Sequence, residues 1–294
     1  MRHCRTLTGF IALALLLVVV PISAFAQDAA GWIDIMRDGS AEARSRGREG
    51  VMALGITALP ALIAATSDEE AFIRWEAVNA LGTLAANDPT GFESAIPAVS
   101  QRALTDPDSH TRWRSLWALS MYLAHQEAEL IIPRLREGLN AMDEQHRWWA
   151  AVALAYFRQP EAPPLLNAGI HRETYFDRWE AIFCMGMIHN DESVVVLTSV
   201  IQDIANWEAD LRQEAALTLG HMGDSRAIPA LTQSLFDPEP HVRWRVASSL
   251  ERIGGTDVLP DVEAALARET DTIAIENMTQ IVERLLYELE KGRG

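Results

Sequence analysis

Apolar residues recur along this chain at helical spacing in short paired blocks, and the clearest pair runs from Gly223 to Gly255. Asp224 can cap a first helix, and the early Pro229 tolerates the missing N–H there. Asp237-Pro238 stops that helix, and a second helix runs on to Gly254-Gly255. Neither helix can bury its apolar face alone, so copies must cover one another. Looser copies fill most of the chain. They predict eight helical hairpins at about 29–56, 57–87, 91–125, 127–158, 160–189, 190–222, 223–255 and 256–291. Thr90-x-x-Glu93 reads as a capping box within the series. No strand pattern or Ser/Gly linker interrupts it. The fold class is therefore all-α, an α-solenoid over residues 27–294 with a terminal capping helix at 271–291.

Aligned on the second helices, the copies share a register arginine: Arg74, Arg112, Arg147, Arg178, Arg212 and Arg243. Tryptophan follows it in five copies, as Trp75, Trp113, Trp148, Trp179 and Trp244. These tryptophans are expected to pack between successive second helices. A small residue stands eight positions after most of the arginines, as at Gly82, Ala155, Gly186 and Gly220. Asp68, Asp106 and Asp237 each precede their arginine by six residues, which predicts a structural Asp–Arg ladder along the turns.

At about 100° per residue, positions +3, +4 and +7 from the arginine share one side and carry Ala, Val and Leu, the core side. Positions +2, +5 and +9 lie opposite, on the expected concave face. They are polar in the outer copies, as at Glu76, Asn79 and Thr83 or Arg245, Ser248 and Arg252. The middle copies instead place Trp117 and Met121, then Trp149, Val152 and Tyr156, then Phe183 and Met187, then Leu217, with Arg114, Glu180 and Glu214 at +2. An apolar strip on a face expected to meet water marks a partner-binding groove or a contact between copies. Tight curvature burying these side chains between hairpins is the alternative.

Composition narrows the chemistry. Met1 to Ala26 has a basic start, an apolar run from Phe10 to Val20 and an Ala24-Phe25-Ala26 site, which predicts a cleavable signal peptide (1–26) and an exported chain, periplasmic or extracellular. No membrane span is expected in the mature chain. Loss of Arg2 and Arg5 with that segment moves the formal charge from −16 to −18. Nucleic acid is excluded as a partner, because phosphate backbones need Arg and Lys stripes. Lys291 is the only lysine, which removes P-loop and Schiff-base chemistry. Cys184 is left alone and reads as a buried thiol.

Ala227-Ile228-Pro229-Ala230-Leu231, Asp237-Pro238, Val242-Arg243 and Leu250 resemble the HEAT repeat in its short bacterial form, related to the phycobilisome-lyase-type repeats. The resemblance implies a scaffold that binds a protein or peptide on its concave face, without catalysis and without a cofactor. Two enzyme groups resemble the repeat as well, the bilin lyases and the deoxyhypusine hydroxylases. The latter hold two irons with His-Glu pairs, and here no histidine precedes a glutamate directly. An exported metal-dependent enzyme would have to use an edge of His110, His146 and His241 with Asp108, Asp143 and Glu239, or His189 with Asp191 and Glu192. Helix capping is the competing account of those acids, and a self-associating structural subunit is the remaining alternative. The expected mature N-terminus is Gln27. Intact mass of the purified protein checks this, and a form retaining Met1 to Ala26 would make the segment an anchor.

Overall fold

The computed structural model describes residues 28–88, 91–123, 128–188 and 190–292. The expected signal segment, Thr90 and His189 lie outside the described residues. Sixteen α-helices pair into eight hairpins, with no strand among the described residues. The first three pairs are α1 (Ala29–Met36) with α2 (Ala41–Leu54), α3 (Leu59–Ala65) with α4 (Ala71–Asn87), and α5 (Ile96–Thr105) with α6 (Ser109–Leu123). The central pairs are α7 (Ile132–Gly138) with α8 (Glu144–Tyr156), and α9 (Pro163–Gly169) with α10 (Tyr175–Met185). The last three are α11 (Asp191–Gln202) with α12 (Ala209–Met222), α13 (Ile228–Ser234) with α14 (Pro240–Gly254), and α15 (Leu259–Leu266) with α16 (Thr272–Lys291).

The recurring prolines sit in the first turns of α3, α5, α7, α9, α13 and α15, where an N–H would have no partner. Asp143, Thr174, Asn190 and Asp271 accept first-turn N–H groups at the starts of α8, α10, α11 and α16. Gly223 ends α12 with φ of 69°, a left-handed cap that favours glycine. Each hairpin buries its apolar face on its neighbours, giving one continuous core from Ala29 to Leu285. By length and composition Ala41–Ala65 is apolar enough to cross a membrane. In the fold it is two helices broken at Gly55, with Val51, Leu59 and Leu62 buried in the core.

Second helices stack on one another, α4 on α6 and α12 on α14 most extensively. This explains the small residue of the register. A Cβ on Gly82 would lie 2.9 Å from the Ala118 backbone, and one on Gly220 would lie 3.0 Å from the Ser249 Cα, so a larger residue would force the layers apart. The stack changes at its centre. There α8 packs against α5, α7, α9 and α10 rather than along α6.

The ladder exists, but its pairs cross between hairpins. Arg74 Nη1 donates to the carbonyls of Asp68 and Glu69 in its own turn, each at 3.0 Å. Its Nε and Nη2 then grip Asp106 of the next hairpin at 2.7 and 2.8 Å. Arg178 pairs in the same way with Glu208, Arg212 with Asp237 and Arg243 with Glu269, while Arg37, at the end of α1, meets Asp68 without donating to turn carbonyls among the described residues. Asp68, Asp106 and Asp237, six residues before Arg74, Arg112 and Arg243, therefore offer that arginine their backbone carbonyl, while their carboxylates serve an arginine of the preceding hairpin. Arg112 and Arg147 bond only the carbonyls of their own turns among the described residues. The acceptor positions they would reach are held by Ala141 and Arg172.

Asp106 and Arg74 are both buried, so Asp106→Ala leaves an uncompensated guanidinium and is expected to cost about 3–5 kcal/mol in urea unfolding. Arg136→Ala, which removes an exposed pair with Glu161, should leave the midpoint nearly unmoved. Arg243 holds the Glu269 carboxyl down to about 2. A depressed carboxylate contributes stability above its ordinary range and loses it as pH falls toward about 2. Glu269→Gln should therefore be less stable than the parent at about pH 7, and the difference should shrink steadily through about pH 4 and close near pH 2.

Candidate partner-binding groove

Where α8 leaves α6, α10 comes to face α6 directly. The opening between them is a concave groove of about 600 Å³. Trp75 of α4, Trp113 and Trp117 of α6, Tyr156 of α8, and Phe176, Trp179 and Phe183 of α10 line it, with Met187, Arg114, Ser109 and His110. Five of the seven rings form one connected set. Trp179 stacks on Phe183 at 5.1 Å and on Phe176 at 5.8 Å, and Trp113 meets Phe183 and Tyr156 edge-on at 5.6 and 6.0 Å. Such contacts fix the ring positions.

Four residues of the expected strip, Trp117, Tyr156, Phe183 and Met187, lie in the groove, each half-buried rather than fully exposed. Four do not. Val152 is 4 % exposed and belongs to the core, which corrects its assignment to the concave face. Trp149 lies behind the groove with its ring 4.1 Å beneath the Arg112 guanidinium and its edge toward His146. Met121 is half-buried against the core and Leu217 is half-buried, both outside the lining. The displacement of α8 from α6 explains Trp149 and Val152, since facing positions were counted for evenly stacked helices. The same displacement brings in Trp75, Trp113 and Trp179, which were expected to pack between helices, and Phe176, which precedes the register altogether. For the three tryptophans the sequence signal was their place one residue after the register arginine, about 100° round the helix between the core and concave sides; Phe176 carried none.

The glutamates at +2 also depart from expectation. Glu76 is buried and accepts from Arg48 Nε at 2.7 Å. Glu180 is 1 % exposed and takes one indole N–H on each oxygen, Trp113 at 2.9 Å and Trp148 at 3.1 Å. Burial raises its pKa, opposed by the nearby Arg112 charge and by both indoles. Glu214 is likewise raised by burial, with Trp179 as its donor. A register tryptophan thus reaches the glutamate of the next hairpin, and Trp113 reaches one hairpin further because α6 and α10 face each other.

The histidine edge is not brought together. His110 is largely exposed with Nδ1 3.5 Å from Asp108, His146 Nδ1 is 2.8 Å from Asp143, and His241 Nε2 is 3.5 Å from Asp210 rather than beside Glu239. Among the described residues, no group of three His, Cys, Asp or Glu side chains is placed to hold a metal ion. Cys184 is fully buried, and desolvation raises its thiol pKa well above the ordinary value.

The chain is 32% identical over 124 residues to the phycocyanobilin lyase subunit alpha of Picosynechococcus, covering 41% of this chain and 42% of that protein. It is 27% identical over 227 residues to the deoxyhypusine hydroxylase of Eremothecium gossypii, covering 71% of this chain and 63% of that protein. The chain therefore spans less than two thirds of either relative. The expectation that it is not an enzyme is overturned by a relative named for an enzyme and aligned over most of its length. The residues that would carry the hydroxylase resemblance to a metal, the His-Glu pairs, nevertheless do not occur in this sequence. The X-ray structure of Escherichia coli YibA superposes with a TM-score of 0.53 at 16% identity, covering 86% of this chain and 91% of that one, a likeness of fold. The family described as HEAT repeats matches residues 29–120 and 204–280, more than half of the chain. With eight stacked hairpins and that match, the chain belongs to the HEAT-repeat family.

Proposed function

We propose that this HEAT-repeat protein is an exported scaffold whose concave groove binds a protein or peptide partner. The observation that carries the reading is the convergence of seven aromatic side chains from α4, α6, α8 and α10 on one open groove. A stack stabilised only by its core has no need of open ring faces there. The outer copies place polar Asn79, Thr83, Ser248 and Arg252 at the equivalent positions. Large aromatic anchors carry a disproportionate share of interface energy, and HEAT repeats present concave surfaces of this kind. Export rests on the Met1 to Ala26 pattern alone.

Groove and core residues should separate in one stability experiment. Leu119, on the core side of α6, is fully buried, and Leu119→Ala should cost about 2–5 kcal/mol through transfer and cavity terms. Phe176 is 39% exposed at the groove mouth, and Phe176→Ser should stay within about 0.5 kcal/mol of the parent. Trp117 stands between these cases, since its ring packs on Gly82, and Trp117→Ser should fall between them. In pull-downs against the envelope fraction of the source cells, Phe176→Ser and Trp117→Ser should lose the partner that the parent retains. Retention by both variants would remove the groove from the interface.

A further inference from the structure

Arg114 lies at the groove wall with its guanidinium 4.8 Å from the Trp75 ring centroid and 4.7 Å from that of Trp117. Two indole faces therefore hold it in place. Among the described residues it donates no hydrogen bond and joins no ion pair, whereas Arg74, Arg212 and Arg243 each grip a carboxylate with two nitrogens. The chain carries 41 acidic residues against 25 basic ones, and among the described residues Arg114 meets none of those acids at ion-pair distance; Arg245, at the same register position in α14, likewise stacks on an indole, that of Trp244. No aspartate or glutamate lines the groove. Glu180, the acid just behind it, has both oxygens engaged by indole N–H groups. The groove is thus a locally cationic, aromatic-walled site on an acidic molecule.

We infer that the partner segment presents a carboxylate beside a large apolar side chain, with Arg114 taking the carboxylate and the aromatic wall of Trp113, Trp179 and Phe183 taking the apolar group. This rests on the groove being the partner-binding surface. The guanidinium's planar fork matches a carboxylate bidentately, and stacking pre-organises it so that little side-chain freedom is lost on binding. Water-poor aromatic walls strengthen the pair. A cationic guest would instead meet Arg114 on the Trp75 and Trp117 faces that would have to receive it. The chain's net charge repels an approaching anion at long range, so recognition rests on the close contact rather than on steering.

The test titrates the full-length protein with acetyl-Leu-Phe carrying a free carboxylate, with the same dipeptide as its carboxamide, and with its cationic 2-aminoethyl amide, reading tryptophan fluorescence. The acid should bind at least about fivefold more tightly than the carboxamide, the increment of one charge-assisted contact. Arg114→Gln should erase that preference, Arg114→Lys should keep part of it, and Arg136→Gln, outside the groove, should keep all of it. Circular dichroism of each variant separates loss of the contact from loss of the fold. Equal or tighter binding of the carboxamide or the cation, or a preference that survives Arg114→Gln, overturns the inference. If acid and carboxamide bind equally and both are lost in Phe176→Ser, the groove reading stands and only the anion assignment fails. No saturable quenching by any of the three up to about 20 mM, a range that covers weak fragment binding, overturns both.

Discussion

Each regular step of this solenoid depends on one arginine that joins its own turn to the next. Arg74, Arg212 and Arg243 donate to backbone carbonyls of the turn that precedes their helix, and the rest of the guanidinium closes on a carboxylate one hairpin on. The turn carbonyls have few other partners, and the carboxylates are buried or nearly so, so each group is satisfied by the same cation. The arrangement sets the spacing between hairpins as well as stabilising it. Small residues such as Gly82 and Gly220 then allow the second helices to close to that spacing.

At the centre this linkage is missing. Ala141 and Arg172 stand where a carboxylate is needed, and Arg112 turns instead to stack on Trp149. The helix α8 settles against α5, and side chains of α10, Glu180 and Phe183, reach Trp113 of α6. Glu180 restores a connection in different chemistry, with two indole N–H groups on one buried carboxylate. A buried acid is costly unless its oxygens are occupied, and here both are. The groove is thus a consequence of changing the connector. A regular ladder would bring α6 and α8 together and cover these aromatic faces.

That geometry also bears on what the family likeness means. Relatives of this repeat include proteins named for enzymes, so the fold leaves catalysis open. The metal-bearing pairs of the hydroxylase resemblance are absent from the sequence, and His110, His146 and His241 lie on separate hairpins, each beside one carboxylate.

The sequence by itself determined the helical class, the eight hairpins and the core positions such as Leu119 and Leu250, because helical period, early prolines and turn residues act within a few positions of themselves. It also marked Trp117, Tyr156, Phe183 and Met187 as residues that an evenly polar concave face would not carry. The tertiary structure decided the rest. Val152 entered the core, Trp149 moved behind the groove, and Trp75, Trp113, Trp179 and Phe176 joined its lining. Position counting assumes identical steps between hairpins, and the step after Arg112 differs from its neighbours. The partner of each arginine lies about 25 to 32 residues away, beyond local periodicity, so only the packed chain shows which carboxylate it meets and where the stack opens.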